Sequence, residues 1–298
     1  VTSELSLRGV YVPLITPFDA AGEVAVDAVE RLAHEYLDAG AAGIVALGTT
    51  GESAALDAGE KRAVIDACSR ACAERSAPLI VGAGTNSTRT TVAAVEALAG
   101  TPAVVAALVV VPYYVRPSEA GIVAHFEAVA AASPVPLVLY NIPARTGRAL
   151  GPAGILRLAS NPGVAGIKQS VAGLDLDTLE VLRGAPEGFH VLGGEDAFLY
   201  PLVLMGGSGA VAASAHVCTE RFVAMIECGL AGKVDEGRTL AGALLPVVKA
   251  GFAEPNPAVW KGALHAQGRI PTPDVRAPMT NASPGAVAAL LAAIEAVG

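Results

Sequence analysis

The sequence predicts an α/β fold, a (β/α)8 TIM barrel with a C-terminal helical extension. Three observations carry that expectation. Eight short runs rich in β-branched and small apolar residues recur along the chain, and a helical pattern follows each one. The runs are near-continuously apolar, as parallel strands covered on both faces should be. Beyond Gly232 the alternation stops and only helical patterns remain. A length of 298 residues fits one such barrel plus its extension.

In chain order the strand candidates are "GVYVPLITPF" (9–18), "GIVALGTTG" (43–51), "PLIVGAGT" (78–85) and "VVAALVVVPYY" (104–114). They continue with "PLVLYNIP" (136–143), "VAGIKQS" (164–170), "FHVLGGED" (189–196) and "GAVAASAHV" (209–217). Between them, "DAVERLAHEYLDAG" opens with Asp27 as N-cap and closes at Gly40, which suits the position after a helix end. Asp57 precedes Glu60 by three residues, the spacing of a capping box. Ser118, just after Pro117, starts the helix of "SEAGIVAHFEAVAAAS". Residues 233–252, 256–268 and 283–298 read as helices of an appendage, so the barrel is expected over 1–232 and the appendage over 233–298.

Hydrophobic residues make up 53% of the chain and charged residues 16%, ample material for a large core. A net charge of −8 with no basic tract excludes a nucleic-acid binder. The N-terminal stretch "VTSELSLRGVYVPLITPF" lacks the pattern of a signal peptide. The most apolar window, 103–115, is too short for a membrane span and contains Pro112. The expectation is therefore a cytoplasmic protein with no membrane partner. Four cysteines show neither CxxC spacing nor a nearby His pair, and read as small buried side chains instead of zinc ligands or a disulfide.

Chemistry in a barrel of this kind gathers at the C-terminal ends of the strands. Those ends carry Thr16, Thr49, Thr50, Glu52, Tyr113, Tyr114, Tyr140, Asn141, Arg145, Lys168, Gly194, Glu195, Asp196, Ser214 and His216. Glu195, Asp196 and His216 come from only two loops, a poor set for a cation, so no metal is expected. Neither "GAGT" nor "LMGGSGA" has the GxGxxG spacing, so no dinucleotide cofactor is indicated.

Lys168 is one of five lysines. Lys61, Lys233, Lys249 and Lys261 fall on helical patterns and read as solvated surface charges. Lys168 instead ends an apolar strand, which leaves two readings open. One is a structural ion pair with Glu52, Glu195 or Asp196. The other is a nucleophile: a partly apolar site disfavours an ammonium, and a neutral amine facing a carbonyl forms a Schiff base. Tyrosine and threonine hydroxyls on neighbouring strand ends, Tyr140 above all, are suited to move the protons such a step requires.

Taken together, "GTTGE", "PYY", "YNIPARTG" and "GIK", with "EPNP" in the C-terminal helices, resemble the pyruvate-dependent class I aldolases grouped with dihydrodipicolinate synthase and N-acetylneuraminate lyase. The resemblance covers essentially the whole chain and is strongest to the synthase branch. It implies condensation of pyruvate with L-aspartate 4-semialdehyde in lysine biosynthesis, by a covalent lysine–pyruvate Schiff base and with no separate cofactor. Lys168 would be the Schiff-base lysine and Tyr140 the acid/base beside it. Thr49 and Tyr114 would complete a proton relay, Tyr114 coming from a neighbouring subunit of a homotetramer. Thr50 would hold the pyruvate carboxylate, Gly194 and Val211 would shape the pyruvate pocket, and Arg145 would grip the aldehyde's carboxylate. Sister readings are a pyruvate-dependent aldolase or dehydratase acting on a sugar acid, and a non-catalytic binder of 2-oxo acids.

The chain departs from the synthase pattern in three places. Gln169 follows the lysine where an acidic residue is common, which bears on the second substrate, and His216 stands where many members carry Asn. Where lysine-inhibited members carry histidines near the dimer interface, this chain has Ala58 and Lys61, whose ammonium would repel that of free lysine. L-Lysine at sub-millimolar concentration should therefore leave turnover unchanged in an inhibition titration; a clear loss of rate there would refute the assignment of Lys61.

Overall fold

A computed structural model describes residues 5–298; residues 1–4 of the N-terminal stretch lie outside the described residues. Eight parallel strands close into a barrel in sequence order. They are β1 (Gly9–Pro13), β2 (Gly43–Ala46), β3 (Leu79–Gly82), β4 (Val104–Val110), β5 (Leu137–Asn141), β6 (Val164–Gln169), β7 (His190–Gly193) and β8 (Gly209–Val211). The ring closes where Gly9, Val10 and Tyr11 pair with Gly209, Ala210 and Val211.

Twelve helices follow among the described residues. In the barrel they are α1 (Val26–Asp38), α2 (Ala58–Glu74), α3 (Thr88–Glu96), α4 (Glu119–Ala132), α5 (Pro143–Thr146), α6 (Pro152–Ala159), α7 (Leu176–Gly184), α8 (Leu199–Leu204) and α9 (Thr219–Leu230). The chain then runs through α10 (Val234–Gly251), α11 (Ala258–Ala266) and α12 (Pro284–Val297). No helix among the described residues is long and apolar enough to cross a membrane.

Every strand is shorter than its apolar run, because the run continues past the rim into loops that the ladder does not pair. After β2 the backbone of Leu47 goes left-handed, at φ 56°, and Thr49–Gly51 form a tight 3-10 turn. Two of the expected caps are present. Asp57 Oδ1 accepts from the Glu60 N–H at 2.9 Å while Glu60 Oε2 accepts from the Asp57 N–H at 2.8 Å. Ser118 accepts from the Gly121 N–H. Asp27, by contrast, is not an N-cap. Ala25 occupies that place without a side-chain bond, its N–H held by the Pro17 carbonyl, and Asp27 lies in the first turn of α1. There its carboxylate still faces the positive end of the helix dipole. Gly40 adopts φ 90° after the helix end, as expected.

Two apolar layers result. One lies inside the barrel and contains Tyr11, Val45, Ile80, Val138, Leu192 and Val211. The other lies between the sheet and its helices and contains Val12, Ile44, Val109, Leu139 and Ile167. All four cysteines are free. Burial pushes the Cys72 thiol up to about 12 and raises that of Cys68 further, so these are inert packing groups.

Lys261 overturns its reading as a surface charge. It sits fully buried on α11 beside Trp260. Its Nζ donates to Glu52 Oε1 at 2.8 Å and to the Thr16 carbonyl at 2.8 Å, 4.0 Å from the centroid of the Phe18 ring. Burial lowers its pKa while Glu52 opposes the shift. "AVWKGALHA" is apolar nearly all round, and α12 packs over it, so the lysine has no solvated face to occupy. Lys261→Met, which strands a buried carboxylate, should cost about 3–5 kcal/mol in urea unfolding, and the Glu52→Gln/Lys261→Met pair clearly less. Equal losses would mean that packing, not charge pairing, sets the cost.

Candidate active site

Strand pleat and register place the central side chains. Tyr140 pairs with Lys168, and Lys168 with Leu192, so the three point the same way, into the barrel. Lys168 is 7% exposed and Tyr140 5%, both at the rim. The Lys168 Nζ lies 4.4 Å from the centroid of the Tyr140 ring. Among the described residues Lys168 forms no ion pair and the Tyr140 hydroxyl no hydrogen bond.

The structural ion pair expected as one reading of Lys168 is thus not formed. Glu52 is taken by Lys261. Asp196 is buried and its Oδ2 accepts from the Ser214 N–H at 2.6 Å. Burial pushes its carboxyl up to about 6, against the pull of that bond and of the Lys168 charge. Half-buried Glu195 is likewise raised by burial.

Gly194 borders the amine so closely that a side chain there would push Lys168 and Ser170 aside. A Cβ there would lie 2.6 Å from Lys168 Cε and 2.5 Å from Ser170 Oγ. The Gly194 carbonyl accepts from Ser170 Oγ at 2.6 Å. Val211, at the end of β8, packs in the same interior layer as Tyr140 and Leu192.

The Thr49–Thr50 turn is pinned from beneath. Thr16 Oγ1 donates to the Gly51 carbonyl at 2.7 Å, and Glu52, left-handed at φ 53°, is held by Lys261 and by the Arg276 N–H. Thr50 is buried, and its Oγ1 accepts from Asn256 Nδ2 at 3.0 Å. Thr49 is half-buried. Tyr114 and Arg145, unlike this group, are exposed. Tyr114 is 88% exposed at φ 70° in the loop after β4. Arg145 is exposed on α5, whose end is set by Thr146, bonded to the Arg148 carbonyl, and by left-handed Gly147.

Gln169 and His216 face elsewhere. Gln169 lies one residue from Lys168 and so points outward, accepting from Asn141 Nδ2 and donating to Thr178 Oγ1, each at 3.0 Å. It is a link between the sheet and α7 and does not line the mouth, so its departure from the acidic pattern leaves the barrel interior unchanged. His216 is fully buried, with Nε2 accepting from the Ile15 N–H and Nδ1 donating to the Ala213 carbonyl. Both ring nitrogens are engaged, which leaves no ligand atom for a metal. Glu30, His34 and Glu74 offer ligand atoms within 4.8 Å of one another, but they lie on the outer helices and Arg70 already holds Glu30. Sequence reasoning missed Asn256 and the burial of Lys261, since both act across more than 200 residues of chain.

The family model for the dihydrodipicolinate synthetase family matches residues 6–297. A relative from Neisseria meningitidis serogroup C, named 4-hydroxy-tetrahydrodipicolinate synthase, is 39% identical over 98% of this chain and 99% of its own. One of the same name from Moorella thermoacetica is 39% identical over 96% of each chain. Among solved structures, dihydrodipicolinate synthase from Thermotoga maritima superposes with a TM-score of 0.94 at 30% identity, covering 99% of each chain. The enzyme from Cyanidioschyzon merolae with lysine bound gives 0.93 at 33%, covering 98% of each.

Two buried groups of the rim give opposed pH dependence. Burial, aided by Arg269, lowers His216 to about 4. Between about pH 6.5 and 4 the unfolded chain therefore binds a proton there that the folded chain refuses, and stability falls with acidification. Asp196 works the other way: the folded chain keeps a proton that the unfolded chain loses above about pH 4, so its burial costs stability as pH rises to about 6. His216→Asn should remove the first effect alone. Urea unfolding at pH 7 and pH 4.5 should show the unsubstituted protein losing about 2 kcal/mol more than the variant. Parallel losses would place the titration elsewhere.

Proposed function

The chain belongs to the dihydrodipicolinate synthetase family, and we propose on that premise that it is a 4-hydroxy-tetrahydrodipicolinate synthase. Its reaction joins pyruvate to L-aspartate 4-semialdehyde in lysine biosynthesis. The observation that carries the mechanistic reading is Lys168: a nearly buried amine at the barrel mouth, outside any ion pair and against the Tyr140 ring. The sugar-acid and regulator readings are not favoured, because relatives matched over nearly their full length carry the synthase name.

The neutral amine of Lys168 attacks C2 of pyruvate. The carbinolamine oxygen takes a proton and leaves as water, giving the protonated Schiff base. That cation acidifies C3, and a C3 proton passes to the proton relay to give the enamine. C3 then attacks the aldehyde carbon, whose oxygen takes up a proton to become a hydroxyl. The amine of the second substrate then displaces Lys168 from C2 and closes the ring. The chain's own nitrogen is the electron sink, so no separate cofactor is called for. Tyr140, whose ring lies beside the amine and whose hydroxyl is uncommitted, serves as the proton carrier at the carbinolamine. Thr49 extends the relay. Tyr114 is too exposed to complete it within its own barrel and serves the site of a neighbouring subunit in a homotetramer.

Thr50, at the pinned turn, holds the pyruvate carboxylate, with Gly194 and Val211 shaping the space about C2 and C3. Arg145, exposed at the rim, grips the carboxylate of the aldehyde with its planar fork. The cytoplasm is the compartment that suits this biosynthetic step.

Borohydride reduction in the presence of pyruvate should fix one reduced pyruvyl group on the peptide containing Lys168, read by mass spectrometry. Lys168→Ala should abolish the label and lower kcat/KM by about 10⁴-fold or more in an assay coupled to a nicotinamide-dependent reductase. An unlabelled Lys168 sinks the covalent mechanism. A labelled Lys168 without turnover of L-aspartate 4-semialdehyde sinks the choice of second substrate.

A further inference from the structure

Thr50 and Asn256 meet from opposite ends of the chain, and both are held in place. Thr50 is the middle residue of the turn that precedes buried Glu52, next to Gly51, whose carbonyl accepts from Thr16 Oγ1. Asn256 occupies the connection between α10 and α11. Its neighbour Glu254 accepts from the Ser283 backbone N–H at 3.0 Å, which ties that connection to the start of α12. The one hydrogen bond between them runs from Asn256 Nδ2 to Thr50 Oγ1 at 3.0 Å.

A hydroxyl has one proton and two lone pairs, whereas a carboxylate can only accept. With an amide N–H filling one of its lone pairs, the Thr50 oxygen keeps its proton free to donate. We propose that Asn256 is a positioning residue for the first substrate: it directs the Thr50 hydroxyl proton toward the carboxylate of pyruvate. This rests on the reading of Thr50 as a carboxylate-binding residue. The effect is one of polarity as well as position. With the amide oxygen on Thr50, the hydroxyl would spend its proton on Asn256 and present only lone pairs to an anion. Nδ2 is the amide atom placed on Thr50, and Oδ1 is left buried with no hydrogen-bond partner among the described residues.

Asn256→Asp keeps the shape and enforces the reversed arrangement. Initial rates with pyruvate varied at saturating aldehyde should show KM for pyruvate raised about tenfold or more, the scale of one hydrogen bond to a charged group. kcat should fall by a smaller factor, and KM for the aldehyde should stay within about twofold. Asn256→Ala, which frees the hydroxyl to rotate without reversing it, should raise KM for pyruvate about threefold. It also serves as the test if the Asp variant does not fold. Thr50→Val is the reference: added to it, either Asn256 substitution should have little further effect on pyruvate, because both act through one hydroxyl. If Thr50→Val leaves KM for pyruvate unmoved, the reading of Thr50 fails. If Thr50→Val raises it while Asn256→Asp leaves it within twofold, or if the effects of the two residues add, the role of Asn256 is overturned.

Discussion

Closure of the sheet governs what each residue at the rim can do. An eight-stranded barrel has an interior only wide enough for side chains, and the pleat sends alternate residues into it. Register then puts the Tyr140 ring and the Lys168 amine side by side, and turns Asn141 and Gln169 toward the helices. A slip of one residue in β6 would bury an amide at the centre and aim the lysine at α7. Two glycines guard this arrangement. A Cβ at Gly166 would come within 2.4 Å of the His190 carbonyl oxygen, and one at Gly194 would strike the Lys168 side chain itself.

Polar groups around the rim fall into two populations. Most of those facing outward are spent on protein partners. Asn141, Gln169 and Thr178 form a chain, His216 bridges the end of β1 to the turn after β8, and Glu52 is closed by Lys261. Buried polar atoms cost too much to leave unpaired, and pairing them fixes the loops that form the mouth. The inward pair, Lys168 and the Tyr140 hydroxyl, has no such partners among the described residues. Stability is concentrated in the outer set, and reactivity is left to the inner one.

Much of this was legible locally. Apolar runs marked all eight strands, and Asp57, Glu60 and Ser118 marked helix starts by spacing alone. Lys168 stood out because a lysine rarely ends a buried strand. Gln169 carried a signal too: if Lys168 faces inward, the next residue faces the helices. Asp27 misled because the cap was settled by a bond between the Ala25 N–H and the Pro17 carbonyl, which no motif announces. A helical pattern predicts a wet side for Lys261, whereas α12 and the end of β1 cover it.

Strand period, cap spacing and motif order are short-range properties, so the barrel, the amine at its mouth and the hydroxyls on neighbouring strand ends can be read along the chain. Which carboxylate serves which cation cannot, because it depends on folding. Glu52 went to Lys261, 209 residues away, and Lys168 was left uncommitted. Thr50 met Asn256 for the same reason. Pairing at such distances follows from where folded helices dock on the closed barrel, and no local pattern of residues encodes it.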